Sequence, residues 1–156
     1  MRNQQFDNQQ FNADNYIRAS QKLFKYTTID YPLEVLMNYC KNVIYRNELT
    51  WDDAKQSSLI ESVLINIPIN RIYINMIGEK LNVVDGSQRI ATLNRFVKNE
   101  LVLCNLEMLP ILNLATFGDL LPSRQRRFMR NTIQVTELAE EIPKNLQDNL
   151  YNRINN

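Results

Sequence analysis

Residues 83–93 read VVDGSQRIATL: two valines, then Asp-Gly, then a polar stretch in which apolar residues recur at helical spacing. Valine favours strands, and an Asp-Gly pair marks a turn because glycine lacks the Cβ that restricts sharp backbone bends. The apolar spacing continues beyond residue 93, as expected for an amphipathic helix. The stretch therefore predicts a strand that ends near Val84, a tight turn at Gly86 and a helix that begins near Ser87.

A helix that begins directly after a glycine turn presents backbone N–H groups that have no acceptor within the helix. Together with the helix dipole, these groups form an anion site. Ser87, Gln88 and Arg89 add a hydroxyl, an amide and a guanidinium in the first turn, and Arg89 is suited to a bidentate pair with phosphate oxygens. Asp85 would hold a metal ion or orient a water molecule. The alternative is structural: Asp85 caps the helix, Gly86 turns the chain and Arg89 pairs with a surface acid.

Outward from this stretch, the pattern predicts one α+β domain with short strands and surrounding helices over residues 22–156. It is preceded by an arm over residues 1–21 that is rich in Asn and Gln, and that is flexible or bound by a partner. The predicted helices lie over 31–40, 52–65, 87–97, 123–130 and the residues after Pro143, and the predicted strands over 43–46, 71–76, 81–84, 101–103 and 132–136.

The composition excludes several classes of enzyme. The 156 residues contain no histidine, so Ser-His-Asp and Cys-His triads, HNH nuclease sites and histidine-containing zinc sites are all excluded. The formal net charge of +1 attracts neither nucleic acid nor an anionic membrane to the molecule as a whole. Catalysis would have to use carboxylates, arginine, lysine, hydroxyls or a bound metal ion.

The compartment is predicted from the cysteines and from the hydropathy of the chain. Cys40 and Cys104 are far apart and lack a Cys-x-x-Cys spacing, which favours two free thiols in a reducing compartment. No apolar run is long enough to cross a bilayer, and residues 1–10 are unlike a secretion signal. We therefore expect a cytoplasmic protein without membrane contact.

The motif Asp85-Gly86-Ser87-Gln88-Arg89 resembles the Asp-Gly-Gln-Gln-Arg motif of the restriction-associated family known as domain of unknown function 262, to which GmrSD-type enzymes belong. Ser87 replaces the commonest residue at the variable position of the motif. The resemblance covers about residues 26–155, in order. Its other landmarks are RNELTW at 46–51, LIESVL at 59–64, IPI at 67–69, IYI at 72–74, FGDL at 117–120 and YNRIN at 151–155.

The resemblance implies a ParB/sulfiredoxin-like fold that binds a nucleotide or phosphate at the motif. By the same resemblance, Arg46 would be a second phosphate contact facing Arg89, or else a surface arginine paired with Glu48. The expected cofactor is a nucleoside triphosphate with Mg²⁺. In restriction-type members such a domain controls a nuclease, often an HNH module, so a separate nuclease is the expected partner.

Two further features each allow a functional and a purely structural interpretation. Glu61 lies among apolar neighbours and would contact a metal or activate water beside Asp85, or would be a buried or half-buried acid paired with an arginine such as Arg89. An arginine cluster within one helix would contact a nucleic-acid backbone, or would be a solvated face neutralised by nearby glutamates. The cluster consists of Arg124, Arg126, Arg127 and Arg130.

Three hypotheses follow. The first is a nucleotide-binding regulatory domain related to GmrSD-type restriction and anti-phage systems, with hydrolysis of the nucleotide left open. The second is a non-catalytic interaction or decoy module that binds a protein partner or DNA. The third and weaker hypothesis is a metal-dependent nuclease whose acids are Asp85, Glu61 and Glu48.

Overall fold

The computed structural model describes residues 2–39, 43–45, 48–139 and 142–155. The helices are α1 (Arg2–Leu23), α2 (Leu33–Tyr39), α3 (Asp53–Leu64), α4 (Ser87–Val97), α5 (Pro122–Arg130) and α6 (Lys144–Asn155), with single 3₁₀ turns at Pro110–Leu112 and Phe117–Asp119. The strands are β1 (Tyr26–Pro32), β2 (Val43–Tyr45), β3 (Ile72–Ile77), β4 (Lys80–Asp85) and β5 (Thr132–Leu138).

The strands form one mixed sheet in the order β1-β5-β3-β4-β2. β3 and β4 make an antiparallel hairpin around Gly78, and β2 pairs in parallel with β4. On the other side of the hairpin, β5 runs parallel to β3 and antiparallel to the edge strand β1. β4 is thus an interior strand, and Asp85 at its end pairs with Tyr73 of β3.

The two faces of the sheet are covered by different helices because side chains alternate along each strand. In β4, Leu81 and Val83 belong to the main core, which also contains buried residues of α2, α3, α4 and α5. Val84 points to the opposite face, where Leu146 and Leu150 of α6 pack against a smaller cluster. The β4–α4 junction therefore lies where α4 covers one face of the sheet and α6 covers the other.

Three phenylalanines fix the far end of α4. Phe96 packs edge-to-face against Phe117 and Phe128, with ring centroids 5.6 and 5.4 Å apart. Phe96 is fully buried and Phe128 is 1% exposed. Burial of one such ring contributes roughly 1.5–3 kcal/mol to folding, so these contacts anchor α4 and leave its first turn to form the junction with β4.

Most predicted elements are confirmed, and the α+β class with them. Asp52 is the N-cap of α3 and accepts a hydrogen bond from the Lys55 N–H. The Asp-Gly turn, the helix after it and the helices opened by Pro122 and Pro143 lie where the sequence places them, within one or two residues. The relation to the ParB/sulfiredoxin fold stays a prediction.

Two local predictions are wrong. Residues 101–103 form no strand: Leu103 exchanges backbone hydrogen bonds with Leu114 and Ala115 at 2.7 and 2.9 Å, but this pairing does not continue along the chain. The helix predicted over 31–40 begins only at Leu33, because residues 31 and 32 end β1. β1 itself was missed because an exposed edge strand lacks the alternation of buried and exposed residues that marks a strand.

The segment predicted to be a flexible or partner-bound arm is helical from residue 2 as part of α1, which continues to Leu23, and the side chains of α1 from residue 10 onward are exposed. Phe11, Tyr16 and Ile17 are 69, 77 and 54% exposed. None of the helices in the described ranges is both long and apolar enough to cross a membrane. The boundary between arm and domain at residues 21 and 22 stays a prediction.

Limited proteolysis is expected to remove α1 before any other part of the chain is cut. A polar helix whose side chains gain little from tertiary packing opens readily, because isolated helices are marginal in water. Trypsin should cleave first after Arg18 and Lys22, leaving a stable fragment that begins close to β1; intact-mass measurement over time checks this. First cleavage within α3, α4 or the sheet would contradict the expectation.

Candidate functional site

The β4–α4 junction has the conformation that the sequence predicts. β4 ends at Asp85, α4 begins at Ser87, and Gly86 between them is left-handed, with φ of 102° and ψ of 16°. A Cβ added to Gly86 would lie 3.0 Å from Ile72 Cγ1 and 3.1 Å from Arg89 Nη2. Glycine is therefore required at position 86 for two reasons. A residue with a Cβ would be strained at this backbone angle, and the Cβ would lie too close to Ile72 and Arg89.

Asp85 and Arg89 form an ion pair across this turn. Arg89 Nη2 donates to Asp85 Oδ2 at 2.7 Å, and the two side chains are only 13 and 12% exposed. The second oxygen of the carboxylate, Oδ1, accepts from Asn155 Nδ2 of α6 at 3.2 Å. Asp85 thus joins the first turn of α4 to the last turn of α6.

Gln88 fixes the segment before α3 against α4. Its Nε2 donates to the Glu48 carbonyl oxygen at 2.7 Å, and its Oε1 accepts from the backbone N–H groups of Thr50 and Trp51, both at 3.1 Å. The amide that we predicted as a ligand contact is therefore engaged by the backbone and holds one wall of the site in position.

Around the junction lies a polar cavity of about 460 Å³. Three parts of the chain line it: the 48–51 segment, the β4–α4 junction and the last turns of α6. The lining residues are Glu48, Thr50, Trp51, Val84, Asp85, Gly86, Ser87, Gln88, Arg89, Tyr151 and Asn155. All five motif residues predicted from the sequence therefore lie at one cavity.

The chemistry of this cavity suits an anion. No side chain caps the N-terminus of α4, whose first turn lines the cavity, so the dipole of the helix faces the cavity. Arg89 uses one of its five N–H donors on Asp85, and a guanidinium presents the others in a planar fork that matches phosphate. The carboxylates of Asp85 and Glu48 line the same cavity and favour a cation that arrives with the anion.

Glu61, predicted as a catalytic residue, does not line this cavity. It is 6% exposed, and its carboxylate accepts from the backbone N–H groups of Glu107, Met108 and Leu109 at 3.3, 2.7 and 2.7 Å. One turn earlier on α3, the buried Ser57 Oγ accepts from the Cys104 N–H at 3.0 Å. Glu61 and Ser57 hold an irregular loop against α3, and the arginine that we expected beside Glu61 pairs with Asp85 instead.

Replacing Glu61 with glutamine is expected to lower the free energy of unfolding by about 2 kcal/mol. The amide keeps one acceptor oxygen and turns an NH₂ group toward N–H donors, which leaves buried donors unsatisfied. Thermal denaturation followed by circular dichroism checks this, with the exposed Glu79→Gln as the matched control. If Glu61→Gln unfolds like the wild type but loses an enzymatic activity, Glu61 is catalytic and its structural assignment is wrong.

The other predicted residues lie elsewhere. Arg46 falls outside the described residues. The arginine cluster lies on α5, exposed and away from the cavity lining, and none of its members pairs with a carboxylate in the described ranges. In those ranges Cys104 is a free thiol, and no three acidic or cysteine side chains meet as metal ligands. The three acids of the nuclease hypothesis are therefore not brought together.

Among the cavity residues that sequence reasoning missed are Tyr151 and Asn155 of α6. Their only sequence signal is the resemblance of residues 151–155 to a landmark of the restriction-associated family, which we used to recognise the family and not to build the site. Trp51, which lies just before α3, also lines the cavity.

The fold and the cavity define a class: a small α+β domain with a polar cavity between a strand and the helix that follows it. The family model of the GmrSD restriction endonuclease N-terminal domain matches residues 44–156, and the chain belongs to that family. This confirms the GmrSD-type resemblance and associates the domain with restriction, a defence against phage. Neither the curated proteins nor the solved structures contain a match to the chain.

Proposed function

We propose that this domain binds a nucleoside triphosphate with Mg²⁺ in the cavity at the β4–α4 junction, and that binding regulates a separate nuclease or DNA-associated partner. One observation carries the proposal: Arg89, the uncapped N-terminus of α4 and the left-handed Gly86 converge on one polar cavity. A ligand with several phosphate oxygens satisfies all three at once.

The phosphates would lie over the first turn of α4. Gly86 lets the backbone approach them closely, Ser87 supplies a hydroxyl, and Arg89 supplies the charge-assisted pair. Gln88 acts indirectly, because its amide holds the 48–51 wall in place. Each motif residue therefore has a distinct role in binding.

The acids of the cavity fit the Mg²⁺ that accompanies a triphosphate. Magnesium usually keeps several waters and takes one or two carboxylates in addition to phosphate oxygens. Asp85 and Glu48 line the cavity, although both oxygens of Asp85 already accept hydrogen bonds. When bound, the ion would neutralise phosphate charge, and hydrolysis of the nucleotide would require Asp85 to orient the attacking water.

Calorimetric titration tests the proposal directly. The folded wild type should bind at least one of ATP, GTP, CTP and UTP saturably with magnesium present, and inorganic triphosphate should compete with that nucleotide. Chelation of the metal should weaken binding. A folded wild type that binds none of the four nucleotides and no triphosphate would overturn the proposal and favour an interaction module.

That interaction module is the second candidate, and one observation favours it. The loop that Glu61 holds presents Met108, Ile111 and Leu114 to solvent at 65, 89 and 81% exposure. Leu114 has φ of 71°, a strained angle for leucine, although its side chain is not part of the core. For this candidate, Ile111→Ser combined with Leu114→Ser should abolish binding to the partner nuclease while the nucleotide affinity stays unchanged.

DNA is proposed as a partner of α5. Arg126, Arg127 and Arg130 are exposed on this helix, while Phe128 is buried. If these three arginines contact phosphates, replacing all of them with alanine should reduce the slope of log affinity against log salt by about 2–3, since each phosphate contact contributes about 0.9. Fluorescence anisotropy with labelled duplex DNA measures the slope, and an unchanged slope removes DNA as a partner of this helix.

A further inference from the structure

Trp51 separates two cavities. It lines the polar cavity at the β4–α4 junction and also a second cavity of about 350 Å³ that runs along α4 toward Arg95. Gln88 is the other residue that borders both. A ligand held at the first turn of α4 and extended along the helix would therefore pass beside the indole of Trp51.

The backbone of Trp51 is fixed by hydrogen bonds on both sides. Its backbone N–H donates to Gln88 Oε1 at 3.1 Å, and its carbonyl accepts from Gln56 Nε2 at 2.8 Å. The Nζ of Lys55 lies over the ring, 4.9 Å from its centroid. A base that stacks on the indole would occupy the ring face opposite Lys55.

The second cavity lies along the middle of α4 and lacks the helix N-terminus that lines the first. Its arginine, Arg95, is already paired with Asp53 at 2.5 Å and donates to Gln56 at 3.2 Å. The remaining polar lining includes the amide of Asn94 and the carboxylate of Glu100. Amides and carboxylates match the donor and acceptor groups on the edge of a nucleobase.

We propose that Trp51 is the stacking platform of a nucleobase subsite in the second cavity; this inference rests on the proposed function. The phosphates bind at Arg89, the base stacks on Trp51, and Asn94 with Glu100 faces the edge of the base. Ser87 and Asn94 are seven residues apart on α4, which is about 10 Å along the helix axis. A nucleoside triphosphate is long enough to cover this distance.

The chain contains a single tryptophan, so its fluorescence reports on this position alone. Titration with nucleoside triphosphates is expected to change the emission of Trp51 at saturation. Inorganic triphosphate, which carries no base, should bind by calorimetry and change the emission little. An equal change with both ligands would mean that the base does not contact the indole, and would overturn the subsite.

Replacing Trp51 distinguishes the contribution of the base to affinity from that of the phosphates. Trp51→Ala should weaken the binding of nucleotide about tenfold more than that of inorganic triphosphate, since a base stacked on an aromatic ring contributes at about that level. Trp51→Phe should retain most of the nucleotide affinity because it keeps an aromatic face. Calorimetry measures both, with thermal denaturation as the folding check.

The outcomes distinguish this inference from the proposed function. Two results with Trp51→Ala would overturn the base subsite and leave the phosphate site standing. In one, the variant binds nucleotide as tightly as the wild type; in the other, its affinities for nucleotide and for inorganic triphosphate fall by the same factor. Absence of binding of both ligands to the wild type overturns the proposed function and the subsite together.

Discussion

Replacing Arg89 with alanine is expected to weaken the binding of nucleoside triphosphates about thirtyfold. A charge-assisted bidentate contact with phosphate contributes roughly 2 kcal/mol, which corresponds to that factor in the dissociation constant. Arg89→Lys should recover only part of the loss, because an ammonium group keeps the charge without the planar fork. Calorimetric titration with magnesium measures all three proteins.

Arg71→Ala is the matched control, because Arg71 is exposed and lines neither of the two cavities described. It should bind nucleotide like the wild type. If Arg89→Ala is folded and binds as tightly as this control, the phosphate site lies elsewhere and the role taken from the family motif fails at its central residue.

The partner of Arg89 should give the opposite result. Asp85→Asn removes a negative charge beside the phosphates and frees the guanidinium, so affinity should stay the same or rise by up to about tenfold. Any hydrolysis that depends on magnesium should be lost, since an amide is a poor magnesium ligand and a weak base. A loss of affinity as large as that of Arg89→Ala would contradict this expectation and show that Asp85 contributes to binding.

Replacing Gly86 with alanine should lower the free energy of unfolding by about 3 kcal/mol. The left-handed angle costs a residue with a Cβ roughly 1–2 kcal/mol, and the added methyl group would meet the fully buried Ile72 at 3.0 Å. For a chain of this length the melting temperature should fall by about 6–12 °C. Thermal denaturation by circular dichroism or calorimetry measures the shift.

Gly78→Ala separates the two causes. Gly78 also has a positive φ, 61°, but a Cβ there would meet nothing within 4 Å. Its replacement should therefore show the backbone cost alone, about 1 kcal/mol. Equal destabilisation by both substitutions would mean that Ile72 moves aside easily and that the space beside Gly86 is not restricted.

The β4–α4 junction could be predicted from the sequence because its determinants are local. The valines, the Asp-Gly pair and the helical spacing lie within eleven consecutive residues, 83–93, and each acts through backbone preference. The motif residues therefore lie together at the turn whatever fold the rest of the chain adopts. The general location of the site followed from the same stretch.

The role of Glu61 could not be predicted, because its partners are backbone N–H groups 46 to 48 residues away. Backbone donors occur at every residue except proline and leave no mark in the sequence. An acid among apolar residues signals a buried charge that must be compensated, but the pattern does not say what compensates it. The same limit applies to Gln88, whose acceptors and donors are the backbone of the 48–51 segment.

If a ligand binds in the cavity as proposed, the contact between Asp85 and Asn155 would make α6 a reporter of its occupancy. Arg89 and Asn155 donate to different oxygens of one carboxylate, 2.7 and 3.2 Å away. A phosphate that draws the guanidinium away from Asp85 alters the charge and orientation of the acceptor that Asn155 holds. Coupling between two sites is reciprocal. A protein that binds by displacing the last turn of α6 would therefore change the affinity of the domain for the ligand by some factor, and the ligand would change the affinity of the domain for that protein by the same factor.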